Sequence, residues 1–224
     1  MSAGPGKCPF EDRQAFTTSS TNPDEIRVVS YNILADLYAD SDFSRTVLFP
    51  QCPPYAMNIA YRKALFIKEL MGYKADLMCL QEVDKKVFEH DLEPVFGTCH
   101  LDGVFSVKGG QVSEGLACFW NKNKFKHLLT KRTVLYEVLD QDEFKFVKDV
   151  LDANEQLKER FFRRTTALQS VVLDFKDREM GLVVGTTHLY YKPDADHIRL
   201  LQIGKDKFLF RFQKWFKSII CEKC

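Results

Sequence analysis

Residues 76–84 read Asp-Leu-Met-Cys-Leu-Gln-Glu-Val-Asp, and this stretch decides the fold class. The run from Leu77 to Leu80 is short, continuous and apolar, which is typical of a strand buried on both faces of its sheet. It ends on two polar residues, Gln81 and Glu82. A strand covered on both faces needs other layers of structure around it, so this stretch predicts a layered domain.

Strand and helix patterns alternate on both sides of this strand. Residues 36–54 have no clear periodicity. The predicted strands are 26–31, 103–107, 115–120, 165–175 and 181–189, and the predicted helices are 55–71 and 143–160. Strands that alternate with helices of more than ten residues indicate an α/β or α+β layered domain.

Composition is that of an ordinary globular chain. Of the 224 residues, 45% are hydrophobic and 28% are charged, which excludes long-range disorder and a fibrous class. No uninterrupted apolar run reaches the ~18 residues that a membrane-spanning helix needs. Lys and Arg total 32 and Asp and Glu total 31, a net charge of +1. Bulk charge therefore cannot attract nucleic acid, and any phosphate-handling site must be local.

Polar residues stand where the apolar strands end. Asn32 ends the first predicted strand, Glu82 terminates the next, and His188 is the last residue but one of another. Such residues can converge on one rim of a sheet, where ligand sites of layered α/β proteins tend to lie. Each residue also has a structural explanation: Asn32 as a turn residue, Glu82 as a helix N-cap or surface charge, and His188 as a hydrogen-bonded core histidine.

The words around these three residues occur together and in a fixed order. They are Ser30-Tyr-Asn-Ile-Leu34, Leu80-Gln-Glu-Val83, Glu114-Gly-Leu-Ala117 and Thr187-His-Leu189. This series resembles the successive signatures of the endonuclease/exonuclease/phosphatase superfamily. Further words resemble its deadenylase-like branch, namely Ser44-Arg-Thr-Val-Leu48, Pro53-Pro-Tyr55 and Ile198-Arg-Leu-Leu-Gln202. The resemblance covers roughly residues 4–202.

The resemblance implies an α/β fold, with two mixed sheets packed face to face and helices outside. It implies a Mg²⁺-dependent phosphodiesterase, with Mn²⁺ as an alternative ion. Glu82 matches the metal ligand, Asn32 the residue that orients this carboxylate and the scissile phosphate, and His188 the histidine that contacts the phosphate. Gly115 would let a backbone approach the site closely.

The resemblance also implies the substrate and the compartment. The substrate would be the 3′ end of RNA, as poly(A) or 2′,5′-linked oligoadenylate, and no DNA partner is expected. The compartment would be the mitochondrial matrix. No presequence pattern is visible in this chain, which keeps the cytoplasm as the alternative. A phosphatase acting on a small phosphorylated ligand is the second candidate within the superfamily.

Two family words are absent. Family members carry Gly-Asp-Phe-Asn and Ser-Asp-His after the histidine, and the Asp and His of the second word activate the attacking water. Neither word occurs in this sequence. We therefore expect a domain incomplete at its C-terminal side, with weak or no activity, because general-base catalysis contributes ~10²–10⁴ in rate. The alternative function is a non-catalytic fragment that binds RNA or a partner without cleaving.

The expected organisation has three segments: an extended or disordered stretch at 1–24, the partial domain at 25–202, and a basic tail at 203–224 outside the resemblance. Apolar residues recur in the tail near helical spacing. They indicate a helix that covers the sheet, non-native sequence, or an amphipathic helix for membranes or RNA. Separately, Phe161 and Phe162 lie among Arg160, Arg163 and Arg164. These residues could stack bases and neutralise phosphates, or form the solvated basic edge of a strand.

Overall fold

The computed structural model describes residue 17 and residues 21–203. Most of the predicted 1–24 segment and nearly all of the 203–224 tail lie outside the described residues. Within the described ranges the chain forms two sheets. The strands are β1 (Val28–Asn32), β2 (Leu77–Asp84), β3 (Leu101–Val107), β4 (Glu114–Asn121), β5 (Phe125–Val134), β6 (Ala167–Phe175) and β7 (Gly181–Thr187).

The first sheet has the order β1-β2-β4-β3, and the second has the order β5-β6-β7. β1 and β2 are parallel, whereas β2, β4 and β3 pair antiparallel, so the first sheet is mixed. The second sheet is antiparallel throughout. The stretch at 76–84 forms the central strand β2, which confirms the prediction of a buried strand.

Helices surround these sheets. They are α1 (Asp36–Ala39), α2 (Pro54–Met57), α3 (Ile59–Gly72), α4 (Lys85–Val87), α5 (Glu93–Thr98), α6 (Lys145–Asp152), α7 (Glu155–Phe162) and α8 (Asp196–Ile203). Single turns of π-helix occupy Ser44–Leu48 and Phe88–Leu92, and 3₁₀ turns occupy Leu135–Val138 and Asp142–Phe144. In the described part of the chain, no helix combines the length and apolar character required to cross a membrane.

Both predicted long helices are interrupted by an asparagine. The 55–71 prediction is two helices that meet at Asn58, whose side chain accepts a hydrogen bond from the Ala60 amide at 2.8 Å. The 143–160 prediction is also two helices, and Asn154 caps the second through the Leu157 amide at 3.0 Å. An asparagine at this position satisfies an amide that has no partner in the first helical turn, so each starts a new helix.

Hydrophobic burial holds the two sheets together. One core cluster contains residues from β2, β4, β5, β6 and β7, including Leu77, Trp120 and Val171, and so fills the space between the sheets. A second cluster covers the other face of the first sheet with α3 and the helical segment at 85–98, including Phe66 and Phe96. β2 is therefore buried from both sides, which fixes the residues at its C-terminal end.

Candidate active site

β1 and β2 bring Asn32 and Glu82 to the same edge of the first sheet. The strands are parallel and pair Asn32 with Gln81, so Glu82 lies one residue beyond Asn32. The register of β2 against β4 shifts between Gln81 and Val83, and Glu82 has a φ of 53°. A bulge of this kind re-aims one side chain of a strand. β2 itself continues to Asp84, so Glu82 lies at a bulge and does not terminate the strand as predicted.

The Glu82 carboxylate is buried, with 8% of the residue exposed, and two donors hold it. Asn32 Nδ2 donates to Glu82 Oε1 at 2.7 Å, and the Ala35 amide donates to Oε2 at 3.3 Å. Asn32 Oδ1 in turn accepts from the Leu34 amide at 2.8 Å, which fixes the orientation of the Asn32 amide. Asn32 therefore contacts Glu82 directly, and these hydrogen bonds fix the orientation of both side chains.

His188 faces the same carboxylate from the second sheet. β7 ends at Thr187, so His188 follows the strand directly instead of lying inside it. Its Nδ1 lies 3.6 Å from Glu82 Oε1, which is too long for a hydrogen bond. Burial, followed by the charge of Lys108, lowers the pKa of His188 against the opposing effect of Glu82 and Glu114. A neutral imidazole can still donate one hydrogen bond to a phosphate oxygen.

Asp84 adds a second carboxylate two residues after Glu82. Its Oδ2 accepts a hydrogen bond from the Asp36 amide at 2.8 Å. Burial raises the pKa of Asp84, and the charges of Asp36 and Glu82 add to that rise, while the Asp36 amide and Arg62 oppose it. Asp84 directly follows the Leu80-Gln-Glu-Val83 word, but no role was predicted for it from the sequence.

A buried ion pair lies beside this group. Glu114 is fully buried; Lys108 Nζ lies 2.5 Å from its Oε1, and Tyr38 Oη donates to the same oxygen at 2.9 Å. Burial, together with the Glu114 charge, strongly raises the pKa of Tyr38, so its hydroxyl stays protonated. The Glu114-Gly-Leu-Ala117 word contained a signal for Glu114. Nothing in the sequence singled out Lys108.

Gly115 lies in the middle of the first sheet, paired with Val83 on one side and Val107 on the other. A Cβ at this position would lie 2.1 Å from the Ser106 carbonyl oxygen. The glycine therefore permits a close approach of β3 to β4. The predicted approach of this backbone to a substrate remains a prediction.

Tyr38, Glu82, Lys108 and His188 line a cleft of about 390 Å³. Arg163 and Arg164 add two further charged groups to its lining. The lining also includes residues between Leu34 and Leu48, residues 163–166 and residues 189–191. Of the three residues predicted at strand ends, Glu82 and His188 line the cleft. Asn32 does not line it, but it holds Glu82 by its hydrogen bond.

The carboxylate oxygens of this site suit a hard divalent cation that is held by few protein ligands. An ionised carboxylate offers about four acceptor positions, and the donors described above use two of those on Glu82. Within residues 17 and 21–203, no group of three or more His, Cys, Asp or Glu side chains could enclose a metal ion. This arrangement fits Mg²⁺, which is often bound through one or two carboxylates while substrate phosphate and water supply the remaining ligands.

Comparisons with known proteins were made by sequence and by structure. No protein-family model matches the chain. Human 2′,5′-phosphodiesterase 12 is 44% identical over 206 residues, which are 91% of this chain and 33% of that protein. The CCR4-Not complex 3′-5′-exoribonuclease subunit Ccr4 of Candida albicans is 26% identical over 202 residues, 85% of this chain and 24% of that protein. The chain spans about a third of the length of the 2′,5′-phosphodiesterase 12 relatives it matches.

Solved structures share the fold. ANGEL2, described as a 2′,3′-cyclic phosphatase, matches with a TM-score of 0.64 and 21% identity, over 80% of this chain and 44% of that one. The human Nocturnin catalytic domain matches with a TM-score of 0.59 and 19% identity, over 84% of this chain and 59% of that one. An endonuclease/exonuclease/phosphatase protein from Bacteroides vulgatus has a TM-score of 0.55.

Proposed function

From the membership of this chain in the endonuclease/exonuclease/phosphatase superfamily, on its deadenylase-like side, we propose that it carries the metal-binding part of a phosphodiesterase for RNA 3′ ends. The observation that carries this proposal is the buried Asn32–Glu82 pair, joined at 2.7 Å, with His188 Nδ1 at 3.6 Å from the same carboxylate. The proposed substrate is adenylate-rich RNA, as poly(A) or a 2′,5′-linked oligoadenylate.

Each residue has a chemical role in this proposal. Mg²⁺, held by Glu82, would neutralise the phosphate oxygens and stabilise the leaving oxygen of the ester. Asn32 keeps the carboxylate in one orientation, and hydrogen bonds of this kind to a metal ligand raise the affinity of the site for the metal. His188 donates a hydrogen bond to a phosphate oxygen, where negative charge grows in the transition state.

The test is the release of AMP from an oligoadenylate by the purified chain, with Mg²⁺ and with EDTA. We expect weak, Mg²⁺-dependent release that Glu82→Gln abolishes, because the amide cannot supply the anionic ligand. Glu89→Gln is the matched control, since Glu89 is exposed and pairs only at 3.6 Å with Lys85. AMP release that continues in Glu82→Gln would contradict the proposal.

The same experiment separates the alternatives. Tight binding of the oligoadenylate without turnover would identify a non-catalytic RNA-binding chain. Turnover of a small phosphorylated ligand, with no action on any RNA, would favour the phosphatase. The proposed compartment is the mitochondrial matrix, supported by the resemblance alone; fractionation of cells that express the tagged protein distinguishes it from the cytoplasm.

A further inference from the structure

Arg164, Tyr190 and Tyr191 form a cationic and aromatic wall of the cleft. Arg164 follows α7, and the two tyrosines follow His188. The guanidinium carbon of Arg164 lies 4.0 Å from the centroid of the Tyr190 ring. A stacked arginine of this kind is held in place by the ring and keeps its outer nitrogens available to an anion.

Side-chain hydrogen bonds hold this wall in place. Arg164 Nε donates to the Arg160 carbonyl at 3.0 Å, so one edge of the guanidinium is already committed. The Tyr190 amide donates to Gln202 Oε1 at 3.2 Å, and Gln202 Nε2 donates to Thr166 Oγ1 at 2.9 Å. The segment of Arg164 and the segment of Tyr190 are therefore tied to the same side chain.

The basic residues that line the cleft differ in whether they form an ion pair. Arg163 forms an ion pair with Glu159, and Lys108 forms one with Glu114. Among residues 17 and 21–203, no carboxylate forms an ion pair with Arg164. Arg164 is thus a half-buried cation, oriented by an aromatic ring and without an acidic partner in the described part of the chain.

The wall is close to the reacting groups along the chain and in space. Tyr190 is two residues beyond His188. The carbonyl of Thr165, next to Arg164, accepts a hydrogen bond from the Gly109 amide at 2.8 Å, and Gly109 follows Lys108. Arg164 therefore shares the cleft with Glu82 and His188 but does not contact either, which is the arrangement of a neighbouring subsite.

We propose that Arg164 binds a non-scissile phosphate of an oligonucleotide, one linkage away from the phosphodiester at Glu82, and that Tyr191 stacks on a base beside that phosphate. Tyr191 is 72% exposed, with its ring edge against Tyr190 at a centroid distance of 5.7 Å. An exposed, oriented ring suits stacking on any base. This inference rests on the proposed function and specifies its substrate as a chain of at least three nucleotides.

The test compares two 5′-fluorescein-labelled ligands, a pentaadenylate and the dinucleotide ApA, by fluorescence anisotropy in EDTA so that cleavage does not compete. We expect Arg164→Gln to weaken pentaadenylate binding about tenfold, the effect of losing one charged hydrogen-bonding group. The slope of log K against log salt should fall by about 0.7. Affinity for ApA, which has only one phosphodiester, should change less than about twofold.

Arg178→Gln is the matched control, because it removes the same charge from a residue outside the cleft lining whose guanidinium is engaged with Asp177 at 3.0 Å. Tyr191→Ala should weaken pentaadenylate binding about tenfold and Tyr191→Phe should not, since the phenyl ring still stacks. Tyr191 is exposed, so this pair remains informative even if Arg164→Gln fails to fold.

The outcomes separate two failures. If the unmodified chain binds pentaadenylate no tighter than ApA, or if Arg164→Gln and Tyr191→Ala leave its affinity unchanged, the subsite is overturned and the proposed function stands. If the unmodified chain binds neither ligand in EDTA, the subsite is overturned, and AMP release with Mg²⁺ decides the proposed function separately. Equal losses for both ligands in Arg164→Gln would also overturn the subsite, because they would indicate a distorted cleft.

Discussion

The orientation of the Glu82 carboxylate depends on the hydrogen bond from Asn32 together with that from the Ala35 amide. Asn32 donates to the carboxylate with one end of its amide and accepts from the Leu34 backbone with the other. Replacing Asn32 with alanine removes the donor while leaving the acid in place. Asn32→Ala therefore changes the orientation of the metal-binding carboxylate without removing its charge.

We predict that Asn32→Ala raises the Mg²⁺ concentration needed for half-maximal AMP release by about 10- to 100-fold, the usual effect of losing a contact that orients a metal ligand. The measurement is a Mg²⁺ titration of the initial rate. Asn123→Ala, at an exposed position, serves as control and should leave the titration unchanged. An unaltered Mg²⁺ requirement in Asn32→Ala would show that Asn32 does not orient the ligand.

Away from the site, the carboxylate of Asp76 connects residues near the start of the described range to the beginning of β2. Its Oδ2 accepts from Thr21 Oγ1 at 2.8 Å and from the Arg27 amide at 2.9 Å, and its Oδ1 lies 3.0 Å from Lys124 Nζ. Burial raises the pKa of Asp76, but the three partners together outweigh burial, and the net pKa lies below its usual value.

The sign of the pH effect follows from this shift. A folded-state pKa below the unfolded one means that the ionised carboxylate adds stability above pH ~4, and this stability is lost as the pH falls through the folded value. We predict that Asp76→Asn lowers the free energy of unfolding by about 2 kcal/mol at pH 7, and that the difference from the unmodified chain shrinks below pH ~4. Urea denaturation between pH 3 and pH 7 measures both.

The exposed Asp142→Asn is the control for this series and should show no such pH dependence. A difference between Asp76→Asn and the unmodified chain that stays constant down to pH 3 would contradict the assigned role of the carboxylate.

At the residue scale, the sequence predicted the groups that stand in recognisable words and missed those defined only by folding. Asn32, Glu82 and His188 were identified from strand ends and flanking words, and the structure brings them together. Lys108 was missed because its partner, Glu114, is reached only when the chain turns back from β3 into β4. The bulge that turns Glu82 was missed because it depends on pairing with β4, a strand more than 30 residues later.

Among the elements, β3 and β4 depend on a glycine. Because a Cβ on residue 115 would lie 2.1 Å from the Ser106 carbonyl oxygen, the two strands can keep their spacing only without a side chain there. We predict that Gly115→Ala destabilises the fold by about 3 kcal/mol, at the upper end of the usual cost of overpacking, since backbone cannot move aside as a side chain can. Thermal or urea unfolding measures the loss.

Gly185→Ala in β7 is the matched control. Its added Cβ would make only an ordinary contact with Leu168 at 3.7 Å. Equal stability losses in the two variants would refute the close-approach explanation for Gly115.

α8 fixes one wall of the cleft through Gln202. This buried side chain bonds the Thr166 hydroxyl and the Tyr190 amide, and so connects the start of β6 to the segment after β7. We predict that Gln202→Ala costs about 2 kcal/mol in the free energy of unfolding, because it leaves the buried Thr166 hydroxyl and the half-buried Tyr190 amide without their partner. His197→Ala, at an exposed position on the same helix, should stay within about 0.5 kcal/mol. Comparable losses for both would argue against this role.

The elements show which local signals suffice. The central strand was predictable from its apolar run alone, whereas β5 was not identified. β5 carries Lys126, Lys131 and Arg132, and it forms an edge of the second sheet, where charged residues protect an open strand. Its strand conformation depends on the long pairing with β6, which no local pattern reveals. The two helix breaks were missed because the apolar periodicity continues past Asn58 and Asn154, although both are strong N-cap residues.

On the scale of the whole molecule, the site exists because two sheets pack face to face. Glu82 comes from the first sheet and His188 follows a strand of the second, so their separation of 3.6 Å is set by the packing between the sheets. Buried Gln169 of β6 reinforces that packing by donating to the Val104 carbonyl at 3.1 Å and to Ser106 Oγ at 3.0 Å on β3. The sequence indicated a layered fold but could not specify this contact, because it joins residues more than 60 positions apart.

The proposed chemistry depends above all on the claim that the carboxylate at the β2 bulge holds a divalent cation. The most direct test is Mn²⁺ binding to the purified chain, followed by electron paramagnetic resonance, with Mn²⁺ replacing Mg²⁺ as a paramagnetic probe. We predict saturable binding at one site, displaced by excess Mg²⁺, abolished in Glu82→Gln and retained in Glu89→Gln. Binding of equal affinity in Glu82→Gln and the unmodified chain would contradict the claim.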